Sequence, residues 1–165
     1  MKIYKSMTDT SHEVTYMHIQ IKNTKVITLM IALALFNFIF LATEYLFDNM
    51  MALVTSPSAV IAAQGYILGA SVIGFVVYPL LSVKIPESVH SIAVFAGALA
   101  EIICMFVIWQ RASYTLILSA GCLAYVLIGI AGSALHYRLS RVAQRDSLAE
   151  TVAVSYALGI LFQYL

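Results

Sequence analysis

Long apolar runs alternate with short polar links along the chain. After a polar stretch over residues 1–25, five apolar runs follow one another. Most are about as long as the roughly 20 residues that cross the hydrocarbon core of a bilayer as a helix. The pattern therefore predicts helices at about residues 26–47, 59–83, 90–109, 114–136 and 151–165.

The predicted fold class is all-α, a polytopic bundle of five transmembrane helices. Residues 1–25 are predicted to form a cytoplasmic polar tail, and residues 26–165 the transmembrane helical domain. The last run is the shortest and reaches Leu165 without a charged or polar stop. Since so short a helix spans a bilayer poorly, we expect the fifth helix to be truncated and the natural product to continue.

Serine residues mark several predicted helix starts. Ser56 precedes Pro57, and Ser113 precedes the fourth run. A serine at the N-cap and a proline in the first turn both favour helix initiation. Ser147 stands three residues before Glu150, which is the spacing of a capping box. Glu150 is therefore interpreted as a helix-start residue rather than a functional acid.

The composition excludes an ordinary soluble domain. The chain is 62% hydrophobic and 10% charged, and its mean hydropathy is +0.93. Soluble domains are about 45–50% apolar and about 25% charged. Both cysteines, Cys104 and Cys122, fall inside apolar runs and are interpreted as small hydrophobic side chains.

The basic residues alternate between the two sides of the predicted bundle. If the helices alternate in direction, one side holds a single basic residue, Arg111. The other side holds Lys2, Lys5, Lys22, Lys25, Lys84, Arg138, Arg141 and Arg145. The positive-inside rule then places the N-terminus in the cytoplasm of a multi-pass inner-membrane protein. Three of these residues, Arg138, Arg141 and Arg145, share a helical face, and we favour topology anchors over sites for anionic headgroups or a partner domain.

One polar stripe runs along the first predicted helix. Asn37 lies near its middle, and Glu44 and Asp48 follow about 10 and 16 Å further toward the outside at 1.5 Å per residue. Glu44 either binds a cation, a proton or a polar solute in an outward-facing cleft, or is solvated at the interface. Gln64 lies on a polar face of the second helix with Ser71. The candidate substrate or proton site consists of Asn37, Glu44, Gln64 and Glu101.

Glu101 lies at the centre of the third predicted helix, where an ionised carboxylate is costly by a few kcal/mol. Two roles remain open for it, proton coupling and a buried hydrogen bond between helices. The hydrogen bond is favoured because no Lys or Arg lies inside any predicted span. Gln64 and Ser71 are candidate partners.

Small residues are predicted to allow close helix packing, which in lipid replaces the missing hydrophobic drive. The GxxxG pair of Gly65 and Gly69 is one such candidate. The full set is Gly65, Gly69, Gly97, Gly129, Ser155 and Gly159.

Sequence motifs for catalysis, metal binding and cofactors are absent from the chain. There is no HExxH, GxSxG, P-loop or CxxC, and no Ser-His-acid set at plausible membrane depth. We therefore expect no enzyme activity, no catalytic residue, no metal and no cofactor. A basic soluble helical unit for DNA binding is also missing, so no direct contact with nucleic acid is expected.

The layout of a cytoplasmic tail, five alternating helices, a short outer link and a basic inner loop resembles the N-terminal half of a major facilitator superfamily protein. The resemblance covers nearly the whole chain but rests on layout more than on motif. The loop "YPLLSVKIPESVH" lacks the acidic residue and paired basic residues of that family's motif. The resemblance implies that helices 1, 2, 4 and 5 line a central path and that helix 3, with Glu101, is peripheral.

A narrower resemblance concerns "GIAGSALHYRLSR" and the following "ETVAVSYALGILFQYL". These segments look like the membrane domain of certain bacterial LuxR-type regulators. Two functions are therefore expected: a transporter-like domain that binds or translocates a small solute, or a sensory ligand-binding domain of such a regulator. The implied partners are the lipid bilayer, a small-molecule ligand, and the remainder of a longer chain or a second helical half.

Overall fold

In a computed structural model, the protein is described over residues 24–84, 86–143, 145 and 147–165. Five helices account for most of these residues, and the described part of the chain contains no strand. The helices are α1 Thr24–Ala52, α2 Pro57–Ser82, α3 Glu87–Trp109, α4 Tyr114–Val142 and α5 Leu148–Gln163. The predicted all-α class and the five helices are confirmed. The predicted tail lies outside the described residues, apart from its last two positions.

The two longest helices extend beyond the apolar runs that predicted them. α1 continues past Phe47 to Ala52, and α4 continues past His136 to Val142. Polar side chains at a helix end do not stop the helix, because its backbone hydrogen bonds stay internal while water or headgroups solvate the side chains. Hydropathy therefore located the apolar part of each helix and underestimated its length.

The helix starts agree in part with the predicted caps. The Ser113 hydroxyl accepts a hydrogen bond from the Leu116 backbone N–H at 3.3 Å, as an N-cap does. Pro57 occupies the first turn of α2, but Ser56 makes no capping bond. The predicted capping box at α5 is not formed, because the Ser147 side chain makes no capping bond to the helix. Its backbone carbonyl instead accepts from the Thr151 hydroxyl at 2.8 Å.

α4 is the central helix of the bundle and packs against α2, α3 and α1, while α5 packs against α1. The helices pack closely because glycines let the backbones of neighbouring helices come near each other. A side chain on Gly74 would collide with the backbone of α4 at Val126, and one on Gly129 would collide with the backbone of α2 at Ser71. At Gly159 of α5 the obstacle is the backbone of α1 at Ala34.

Two apolar cores lie at different depths in the bundle. The larger one is called the outer core, because it lies toward the end that the loop charges predict to face outward, and it joins α1, α2, α3 and α4. Its fully buried side chains include Phe47, Ile67, Ile108, Ile117 and Tyr125. The inner core is smaller, and joins α1 and α4 to the start of α5 through Leu33, Leu139 and Val152.

Three helices, α1, α2 and α4, are long and apolar enough to cross a membrane. The remaining apolar segments, Val94–Trp109 and Leu148–Gln163, are shorter. Large apolar side chains also cover the outside of the bundle, and Ile61 and Phe95 are 71% and 67% exposed. A continuous apolar exterior is unfavourable in water and suits lipid, which together with the composition indicates a membrane protein.

The glycine contacts generate a paired prediction. Gly129→Ala should destabilise the bundle by about 1–3 kcal/mol, because the added methyl group meets the α2 backbone. Gly65→Ala is the matched control, since no atom lies within 4 Å of the corresponding position and alanine favours the helix. Thermal unfolding of the detergent-purified variants measures both. Equal melting temperatures for the two variants would contradict the close packing at Gly129.

Candidate functional site

A hydrogen bond between α1 and α2 is the centre of the candidate site. The Gln64 Nε2 donates to Glu44 Oε1 at 2.8 Å, in a partly buried position. Glu44 lies eight residues before the end of α1, and Gln64 seven residues after the start of α2. At 1.5 Å per residue both side chains are therefore about 10–12 Å from the same end of the bundle. The structure thus joins two residues of the predicted candidate site by a direct hydrogen bond.

A buried tyrosine brings a third helix to this site. Tyr125 of α4 is fully buried, and its hydroxyl donates to the Phe40 carbonyl of α1 at 3.3 Å. Its ring meets the Phe40 ring edge-on at 5.2 Å. Tyr125 was not among the predicted site residues. A lone phenol inside an apolar run was the available signal, because a buried tyrosine hydroxyl needs a partner.

Three carboxyl groups act electrostatically on the Tyr125 hydroxyl. Glu44 and Asp48 of α1 and Glu101 of α3 all lie close enough to interact with it electrostatically. Asp48 also interacts with Glu44, one helical turn away. No Lys or Arg occurs in the described helices at this depth, since the basic residues stand at or near the helix ends or in the links. The acids therefore converge in a part of the bundle that contains no cationic side chain.

Two of these acids present unsatisfied oxygens. Glu101 Oε1 and Asp48 Oδ1 are buried and have no hydrogen-bond partner within the described chain. The predicted partners of Glu101 are engaged elsewhere: Gln64 bonds to Glu44, and the Ser71 hydroxyl donates to the Leu68 carbonyl of its own helix. Gly97, expected to admit a partner helix here, makes only an ordinary contact with the Leu127 side chain at 3.8 Å. The site thus presents acceptors that lack donors.

Asn37 lies apart from the acids. It is two helical turns from Glu44, about 10 Å along α1, and only 7% exposed. α1 and α5 meet at this point, and the Asn37 Cβ lies so close to Gly159 that a side chain at position 159 would collide with it. The Asn37 Nδ2 is buried and has no hydrogen-bond partner in the described residues. Of the four predicted site residues, Glu44 bonds to Gln64, Glu44 and Glu101 interact with Tyr125, and Asn37 lies at the contact of α1 with α5.

The structure separates the predicted packing residues into two groups. Gly129 and Gly159 lie where two backbones meet, and Ser155 is fully buried with its hydroxyl donating to the Thr151 carbonyl at 2.7 Å. Gly65 and Gly69 have no atom within 4 Å of the position of a side chain. This GxxxG pair therefore does not pack against the described residues, because it lies on the outward face of α2.

A second polar contact joins α4 to α5 near the opposite end of the bundle. His136 Nδ1 donates to the Gly132 carbonyl at 2.7 Å, which leaves Nε2 as an acceptor. The Tyr156 hydroxyl lies 3.5 Å from that nitrogen. Phe75 of α2 meets the imidazole edge-on at 5.6 Å. The imidazole thus touches side chains from both neighbouring helices.

Comparisons with known proteins place the chain in no family. No family model, no curated protein and no solved structure matches it. Among the described residues no group of three or more His, Cys, Asp or Glu side chains is arranged to hold a metal ion.

The Glu44–Gln64 contact can be measured by a double-mutant cycle. Glu44→Ala and Gln64→Ala should show a coupling of about 1 kcal/mol in unfolding free energy, typical of a partly buried hydrogen bond to a carboxyl group. Ser71→Ala serves as the control partner, because its hydroxyl bonds within its own helix. A Glu44 and Ser71 cycle should give a coupling near zero. Equal couplings in the two cycles would refute a specific contact.

Proposed function

We propose that the chain is a transporter-like membrane domain that binds a small cationic or protonatable solute near its outer face. The main observation behind this proposal is that Glu44, Asp48 and Glu101 all interact electrostatically with Tyr125. No cationic side chain of the described residues lies at that depth. Buried carboxyl groups in a membrane are costly without a partner and are common in ion and substrate pathways. A cation from outside supplies the missing charge.

The acceptor oxygens of the site that lack a partner favour a ligand that can donate several hydrogen bonds. Glu101 Oε1 and Asp48 Oδ1 accept nothing from the described chain, and the Tyr125 proton is directed to Phe40. A protonated amine offers N–H donors to such acceptors, while an anion is repelled by all three acids. Gln64 holds Glu44 in position, so less side-chain entropy is lost on binding. Glu44 is the proposed anchor of the cation, and Glu101 its second acceptor.

The proposed orientation places the N-terminus in the cytoplasm and this site toward the outside of the inner membrane. The charge asymmetry of the loops supports it, because Arg111 is the single basic residue near the outer ends. In this orientation the layout is similar to the N-terminal half of a major facilitator superfamily protein. A second helical half or the remainder of a longer chain would then complete the site.

A sensory role is the second candidate. The segment from Tyr78 to His90 lacks the facilitator motif that accompanies transport cycling, a glycine followed by an acidic residue and paired basic residues; its charged residues are Lys84 and Glu87. Its sequence favours a domain that binds a solute without moving it, as in the membrane part of a bacterial LuxR-type regulator. The chemistry proposed for Glu44 and Glu101 is the same in both cases.

The outward cleft is tested by thiol labelling in a Cys104→Ser, Cys122→Ser background. Glu44→Cys should react with a membrane-impermeant thiol reagent added outside, because the proposed cleft admits water. Tyr45→Cys is the matched control, since it has nearly the same depth and faces away from the bundle with 70% exposure. In lipid its thiol should react slowly. Equal reaction rates at the two positions would defeat the cleft.

Ligand charge is tested by thermal unfolding of the purified chain with a panel of small ammonium compounds and size-matched carboxylates. Saturation at about 100 times the Kd should add about 2.7 kcal/mol to the stability. We expect at least one ammonium compound, and no carboxylate, to raise the melting temperature. Glu44→Gln should abolish this shift, whereas Glu150→Gln should not, because Glu150 is exposed in the first turn of α5. Stabilisation by carboxylates alone would refute a cation site.

A further inference from the structure

At the inner end of α4 an arginine side chain contacts a tyrosine that packs against α2. Arg141 Nη1 donates to the Tyr137 hydroxyl at 2.9 Å, and its guanidinium carbon lies 5.5 Å from the centre of the same ring. The Tyr137 ring in turn meets the Tyr78 ring of α2 edge-on at 6.2 Å. Tyr78 is buried, whereas Tyr137 and Arg141 are exposed. A surface guanidinium is therefore oriented by aromatic contacts that connect two helices.

Other basic residues lie at the same end of the bundle. Ser71 lies against Gly129 and Tyr78 against Tyr137, so α2 and α4 run side by side in the same direction. The exposed Lys84, two residues after α2, consequently emerges at the level of the last turn of α4. Arg145 follows three residues after α4 and is also exposed.

An apolar surface adjoins these charges. The last turn of α2 exposes Leu80 and Leu81, and Val83 directly after it is exposed as well. The binding surface therefore combines an oriented guanidinium and further cations with an apolar helix side. An arginine fork matches the geometry of a phosphate group, and an acyl chain fits the apolar side. Free phosphate would use only the first of these features.

We propose that Arg141, supported by Tyr137 and Lys84, binds the phosphate of an anionic phospholipid whose acyl chain lies along the end of α2. This assignment goes beyond a topology anchor, because an anchor needs charge alone and not an oriented guanidinium. It rests on the proposed function only for the statement that this end faces the cytoplasmic leaflet.

The test is lipid retention by the 165-residue chain, reconstituted in nanodiscs with equal amounts of phosphatidylglycerol and phosphatidylcholine. After transfer to mild detergent, native mass spectrometry counts the lipids that remain bound. Arg141→Ala should lower the preference for phosphatidylglycerol by more than about fivefold, because the charge of one basic residue at an anionic surface already accounts for about that factor. Arg141→Lys should regain only this charge contribution and stay below the unsubstituted chain, since it keeps the charge but not the planar fork.

Arg111→Ala is the control, because it removes the basic residue of the opposite end. An unchanged preference in Arg111→Ala supports the site, while an equal loss in both variants shows non-specific charge attraction and overturns it. Full retention in Arg141→Ala overturns it too, as does displacement of the bound lipid by inorganic phosphate alone. Labelling of Glu44→Cys reports the orientation independently, so reaction from the cytoplasmic side would overturn the proposed function and leave the lipid result intact.

Discussion

At Gly74 and Gly129 the backbones of α2 and α4 approach so closely that no side chain fits between them. In lipid, apolar side chains gain little by leaving the solvent, so helix association depends on this kind of close contact. The contact fixes the relative height and rotation of α2 and α4. It thereby brings Tyr78 to Tyr137 at one end and supports the outer core around Tyr125 at the other.

The polar residues occupy positions that this packing leaves available. Toward the end of the bundle that holds Glu44, α1 and α3 lie against α4, and their acids interact with one phenol. The Thr43 hydroxyl donates to the Met105 sulfur at 3.8 Å, a weak contact of α1 with α3 at the same depth. Among the described residues the basic side chains lie at or near the opposite end, apart from Arg111 in the link between α3 and α4. The described bundle is consequently acidic in one half and basic at the opposite end.

Sequence reasoning predicted the features that depend on one helix at a time. Apolar run length located all five helices, and the Ser113 cap followed from local chemistry. Periodicity gives the angle and depth of a residue on its own helix, but not the rotation of a neighbouring helix. For this reason Gln64 was named as a candidate partner of Glu101, whereas it bonds to Glu44. The same limit favoured Gly65 and Gly69 as the packing glycines of α2, although it is Gly74 that lies against another backbone.

Three polar contacts cross between the α1–α5 pair and the α2–α4 pair. Gln64 donates to Glu44 and Tyr125 donates to the Phe40 carbonyl toward one end of the bundle, and Tyr156 meets His136 toward the other. The Gln64–Glu44 bond is the shortest at 2.8 Å and involves a carboxyl group, whereas the others measure 3.3 and 3.5 Å, so it is the strongest of the three. In the proposed function a cation binds to the same carboxyl group, which Gln64 holds in position through one of its two oxygens. Ligand binding therefore acts at the strongest of these contacts, and a binding event near the proposed outer face can alter how α1 and α5 lie against α2 and α4. The same consequence serves a transporter, which must change its packing to release a solute, and a sensor, which must pass a signal along α5.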